Sequence, residues 1–197
     1  MGCGGSKLSA KSKQADADPP KPSEHSEYSK PSDPSDPADA HRFKQFCTLP
    51  LHDGEKPMIF GAIMINDLAA VRSLVPADYL EGKNMQDEFH ITTIYLGGKP
   101  PQDYELFKKL QMLEGTSIQV APVRIASDAK ATAIEIRNNN EFPCQNAHPH
   151  ITIATAPGVP AKYSNELLSK VSTETSDIKV MEVSPDVSIS GVFQFVR

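Results

Sequence analysis

The sequence predicts an α+β domain of mainly antiparallel sheets over residues 41–197, behind a tail at 1–40. Three observations predict it. From residue 57 onward, short β-rich apolar runs alternate irregularly with segments of helical spacing. The chain closes on a strand of alternating pattern. Composition also shifts near residue 40: residues 1–40 hold six of the 17 prolines and, apart from Leu8 and Tyr28, almost no large apolar side chain. Such a segment buries too little surface to offset the entropy of ordering it, so it reads as a disordered tail and linker.

The elements follow in order. Pro57–Ile65 is a β-rich run, bounded by Asn66 as a helix N-cap. The stretch from Asp67 places Leu68, Val71 and Leu74 at helical spacing and stops before Pro76. Phe89–Leu96 reads as a strand, and Gln102–Leu113 as a helix with Leu106, Phe107, Leu110 and Leu113 on one face. Ser117–Ala126 and Lys130–Arg137 form two strands joined by a turn at Ser127-Asp128. His150–Thr155 is a further strand, Asn165–Val171 a helix, and Val187–Val196 the closing strand.

Charge narrows the function classes. The chain has 20 basic and 25 acidic side chains, a net charge of −5. With no overall positive field, it is a poor candidate for gripping duplex DNA by phosphate contacts. A local anion pocket remains open. The three cysteines, Cys3, Cys47 and Cys144, form neither a paired framework nor a CxxC, which predicts an intracellular setting. No apolar run is long enough to span a bilayer, and no secretory signal core follows the start.

The first residues, Met1-Gly2-Cys3-Gly4-Gly5-Ser6, fit the pattern for N-myristoylation at Gly2, with Cys3 placed for S-palmitoylation. Lys7, Lys11 and Lys13 follow before the first acid, Asp16. One myristoyl chain binds membranes only marginally; a second acyl chain and a short basic patch supply what it lacks. The expectation is a lipid anchor on the cytoplasmic face of a membrane, nominally the plasma membrane, with residues 14–40 as a flexible spacer.

The domain contains an internal echo. His90-Ile91-Thr92 and His150-Ile151-Thr152 lie 60 residues apart, each within a predicted strand. In a strand, residues i and i+2 share a face. His90 therefore projects with Thr92, and His150 with Thr152, while Ile91, Thr93, Ile151 and Ile153 point the other way. If the two strands lie side by side, two imidazoles and two hydroxyls converge on one cleft. That set suits phosphodiester chemistry without a metal or other cofactor. One His takes a proton from the attacking oxygen and the other protonates the leaving oxygen. The threonine hydroxyls donate to the phosphoryl oxygens, where charge builds. His25, His41 and His52 read as solvated. His148 either contacts the phosphate or caps the turn before His150. Cys144, His148 and His150 have the residue types of a zinc site but lack an evident fourth ligand. Of Tyr95, Phe193 and Phe195, each suited to stack on a base, at least two are expected to be core.

The paired His-x-Thr strands resemble the two-histidine (2H) phosphoesterase superfamily, in the branch that holds the myelin 2',3'-cyclic-nucleotide 3'-phosphodiesterases and the cyclic phosphodiesterase domains of fungal tRNA ligases. The residues carrying the resemblance are His90-Ile91-Thr92-Thr93 and Ala147-His148-Pro149-His150-Ile151-Thr152. The resemblance implies a two-lobed fold, with two antiparallel sheets related by a pseudo-twofold axis and helices outside. It implies hydrolysis of 2',3'-cyclic phosphates, on nucleotides or RNA 3' ends, to 2'-phosphates, an RNA-processing type of activity. By the same analogy, His150 is the base, His90 the acid, and Thr92 and Thr152 complete the catalytic four. Tyr95 and His148, taken as substrate contacts, rest on the residues alone and not on the resemblance. No GK[ST] P-loop occurs in the sequence, so a linked kinase or ligase step is not expected. Two alternatives stand beside this reading. One is a membrane-tethered module that binds a nucleotide or RNA end without turnover. The other is a different two-histidine activity, on 2',5'-phosphodiesters or an ADP-ribose cyclic phosphate.

Overall fold

A computed structural model describes residues 56–171 and 177–197. The predicted tail, the acylation motif at Gly2 and Cys3, the lysines at 7, 11 and 13, and His41, Cys47 and His52 lie outside the described residues. The chain order begins with β1 (Phe60–Ile65), α1 (Leu68–Leu74), a 3₁₀ turn (Ala77–Tyr79), β2 (Asn84–Met85), β3 (His90–Tyr95) and α2 (Tyr104–Gln111). It continues with β4 (Ser117–Ser127), β5 (Ala131–Arg137), β6 (His150–Thr155), α3 (Tyr163–Val171), β7 (Lys179–Glu182) and β8 (Ile189–Val196). No helix among the described residues is long and apolar enough to cross a membrane.

Every element predicted above is present, with ends shifted by a few residues. The cap of α1 is Asp67, not Asn66: its carboxylate accepts from the Ala70 N–H at 2.9 Å. Asp103 does the same for α2, accepting from the Leu106 N–H. In the turn between β4 and β5, Asp128 accepts from the N–H groups of Lys130 and Ala131, both at 2.8 Å. Ser127, read as a turn residue, belongs to β4, where its hydroxyl meets Thr132 on β5 at 2.9 Å.

The strands form one sheet rather than two separate ones, and all its pairings are antiparallel. The order β6-β3-β1-β8-β4-β5 closes back on β6, making the sheet barrel-like, with β2 beside β6 and β7 beside β4. The cause is the length of β4. Its first half, Ser117–Val120, pairs with β8, and its second half, Arg124–Ser127, pairs with β7. A single strand therefore bridges β8 to β5 and β7 and closes the ring.

Two bulges occur at matching places. Opposite Gly61 and Ala62 of β1 lie Ile94 and Thr92, so Thr93 is an extra residue in β3, and its hydroxyl donates to the Gly61 carbonyl at 3.0 Å. Opposite Thr132 and Ala133 of β5 lie Ala154 and Thr152, so Ile153 is the extra residue in β6. Each bulge comes one residue after the threonine of a His-x-Thr.

The core divides by sheet face. Ile63, Ile91, Ile125, Ile134, Ile151 and Phe193 are fully buried in one cluster with Val71 of α1 and Leu110 of α2. Replacing Leu110 by Ala there costs about 2–5 kcal/mol. The other face carries a smaller cluster, in which Leu167 and Leu168 of α3 cover Ala126, Ala131 and Ala133. Gly191 of β8 is needed for close packing, since a Cβ there would lie 2.6 Å from both Ile63 Cγ2 and the Met64 carbonyl.

Candidate active site

Ile91 of β3 lies across from Ile151 of β6, the one ladder pair between these strands. Opposite residues in an antiparallel pair share a face, and both isoleucines are fully buried. The residues on either side of them therefore share the other face. The register sets Thr92 across from His150 and His90 across from Thr152. The four side chains expected to converge are brought together on one face.

The same register extends the row in both directions. Arg124, Glu135 and His150 are successive partners across β4, β5 and β6. Ala126, Ala133 and Thr152 form the next row, which runs under α3. On the far side, Thr92 pairs with Ala62 and His90 with Met64 of β1. One flank is thus closed by α3 and the other by β1.

The two histidines are held differently. His150 is almost fully buried, and its Nδ1 lies 2.7 Å from the His148 carbonyl. A carbonyl only accepts, so Nδ1 carries the proton and Nε2 keeps its lone pair. Burial pushes the His150 pKa below its ordinary value. The carbonyl bond opposes that shift; positive charge on His90 and His148 adds to it, and Glu135 opposes it. His90 instead stacks on Phe60, with ring centroids 5.2 Å apart and planes 24° from parallel. Burial lowers its pKa as well, partly offset by Glu88.

The threonines also differ. Thr92 is half-buried, and its carbonyl accepts from Asn146 Nδ2 at 3.0 Å, which ties the β5–β6 loop to β3. Gln145 adds a bond from its N–H to the Thr93 carbonyl at 2.7 Å. Thr152 Oγ1 lies 3.0 Å from the hydroxyl of Ser164, a fully buried residue in the first turn of α3.

His148 does not stand free. Its Nδ1 is 2.9 Å from Glu135 Oε1, and Glu135 Oε2 lies 2.5 Å from Arg124 Nε. Tyr95 is 69% exposed and pairs with Phe60, which puts it on the histidine face beyond the bulge. Its ring leans on Gly97, where φ is +59° and a Cβ would come within 3.1 Å of it. It lines a cleft of about 470 Å³ with Lys99, Gln102 and Gln145, beside the four residues rather than over them. Phe193 and Phe195 are core. Cys144 points its thiol at the Thr92 carbonyl, 3.8 Å away, and burial raises its pKa. Cys144, His148 and His150 thus have separate partners, and no group of three His, Cys, Asp or Glu among the described residues is arranged to hold a metal ion.

Sequence reasoning missed Glu135, Arg124, Phe60 and Ser164. Each reaches the site through strand register or helix packing, which single-sequence patterns do not carry.

Comparison with known proteins adds two findings. The sequence model for the fungal tRNA ligase phosphodiesterase domain matches residues 59–196. A solved structure described as a fungal RNA kinase superposes with a TM-score of 0.55 at 17% identity, over 81% of this chain and 52% of that one. The likeness is one of fold, and the chain spans about half the length of that structure. No curated protein matches the sequence.

Proposed function

The chain belongs to the fungal tRNA ligase phosphodiesterase domain family, and from that membership we propose that it hydrolyses 2',3'-cyclic phosphates, on nucleotides or RNA ends, to 2'-phosphates. The resemblance read from the two His-x-Thr strands is borne out at the level of the family. The observation that carries the reaction is the Ile91–Ile151 pairing, with His90, Thr92, His150 and Thr152 on the opposite face.

In this reading, His150 is the base. Its Nδ1–H is engaged by the His148 carbonyl, so Nε2 takes the proton from water. The water oxygen bonds to phosphorus and the bond from phosphorus to the 3' oxygen breaks. His90 gives its proton to that departing oxygen. The products are a 2'-phosphate and a free 3'-hydroxyl, and both imidazoles re-equilibrate with solvent. Thr92 and Thr152 donate to the non-bridging oxygens, with Ser164 steadying Thr152. His148 borders the phosphate, and Tyr95 offers a face to the base. Both proton transfers are assigned to imidazoles, and the proposal needs no metal.

A two-lobed, pseudo-twofold fold is part of the same proposal. It is supported by the matching bulges at Thr93 and Ile153 and by the change of partner along β4. So is a membrane tether through acylated Gly2 and Cys3 with Lys7, Lys11 and Lys13, on the strength of the sequence pattern. Loss of the chain from the membrane fraction in Gly2→Ala is the expected result, and unchanged partitioning would remove the tether.

The reaction is tested with the full chain, a 2',3'-cyclic nucleotide and a short RNA ending in a 2',3'-cyclic phosphate, followed by phosphorus NMR. A 2'-phosphate that forms equally with a chelator present is expected. A 3'-phosphate, or no product, would sink the proposal.

A further inference from the structure

Glu135 is a carboxylate in the middle of β5, between the buried Ile134 and Ile136, with its side chain 13% exposed. A buried carboxylate needs partners. Arg124, at Glu135 Oε2, supplies a charge partner. The second oxygen does something further: it holds His148 Nδ1 at 2.9 Å. His148 in turn presents its carbonyl to His150 Nδ1 at 2.7 Å. Glu135 also lies directly across from His150 in the β5–β6 register. Pro149, between the two histidines, limits how the connecting backbone can bend.

We infer that Glu135 is a positioning residue: by anchoring the His148 side chain it fixes the carbonyl that sets the ring and tautomer of His150. It rests on the proposed reaction only for what the freed Nε2 does. Arg124 holds the other carboxylate oxygen and keeps the anchor in place. The charged and titratable groups acting on His150 are Glu135, His148 and His90.

The test uses the full chain with ¹⁵N-labelled histidine. The nitrogen shifts of His150 report which ring nitrogen carries the proton, without any turnover. In the wild type the proton sits on Nδ1. Glu135→Ala is expected to mix the tautomers and to lower kcat on a 2',3'-cyclic nucleotide about tenfold or more. Glu135→Gln keeps an oxygen that accepts from His148, so the wild-type tautomer and a kcat within about threefold of wild type are expected. An unchanged tautomer in Glu135→Ala would overturn the inference, and so would Glu135→Gln behaving like Glu135→Ala. If Glu135→Ala does not fold, His148→Ala replaces it, since it removes the anchored side chain and keeps the carbonyl; an unchanged tautomer there also overturns the inference. An inactive wild type would count against the proposed reaction and leave the tautomer result standing.

Discussion

Ile91 of β3 and Ile151 of β6 face each other as the single ladder pair between their strands, each with no exposed surface. That pair decides the geometry of the site. A shift of one residue between these strands would turn one His-x-Thr toward the core and leave the other alone. The buried isoleucines resist the shift because it would drive imidazole and hydroxyl groups into the apolar cluster.

The pH dependence of kcat/KM follows from the environments of the two rings. Burial lowers the pKa of both His90 and His150 from near 6.5. The base must be neutral and the acid protonated, so the profile is a bell with both limbs displaced to the acid side of about 6.5. Positive charge on His90 also lowers the His150 pKa, so the two limbs are not independent. A maximum above neutral pH in the measured profile would speak against this environment.

The same shifts predict acid sensitivity of the fold. A histidine whose folded pKa is lowered contributes stability that is present above its unfolded value, near 6.5. That stability is lost as pH falls from there through the folded pKa, because the unfolded chain binds protons that the folded one refuses. Urea midpoints measured from pH 7.5 down to 5 should fall in the wild type and fall less steeply in the His90→Gln/His150→Gln chain. Parallel slopes in the two proteins would mean that other groups set the acid limit.

Much of this is legible in the sequence. His90 and His150 stood out because the same i, i+2 pattern recurs and the intervening residues are apolar. Leu110 falls on the apolar face of its helix by periodicity, while Phe193 could not be told from Tyr95 and Phe195 as core or base-stacking until the sheet placed it inside. Glu135 was not legible: in Ala133-Ile134-Glu135-Ile136 an acid at an alternate position looks like a solvent-facing strand residue. Its partners become visible only once β4, β5 and β6 are in register. The bulges at Thr93 and Ile153 were hidden for the same reason, since a bulge is defined by its partner strand. β2 has only two residues, and β7, Lys179–Glu182, has no apolar alternation, so neither offered a periodic signal.

In the sequence Phe60 is one residue of the β-rich run at 57–65 with no role of its own; in the fold its ring stacks on His90. Removing it exposes the imidazole to water, which relieves the burial that lowers its pKa. Phe60→Ala is therefore expected to move one limb of the kcat/KM profile toward about 6.5 and to reduce kcat/KM by about tenfold through loss of ring orientation. Phe60→Leu, which keeps the apolar cover, should shift the limb less. An unaltered profile in Phe60→Ala would show that the stack has no bearing on His90.

The central claim is that His90 and His150 act as one unit on a shared face. Its most direct test is kcat/KM for the full chain, for His90→Ala, for His150→Ala and for the double variant, on a 2',3'-cyclic nucleotide. Groups that serve a single transition state are strongly non-additive. Each single substitution should therefore cost on the order of a thousandfold, and the double little more than the worse of the two. Either single variant keeping activity within about tenfold of wild type, or losses that simply multiply in the double, would contradict it.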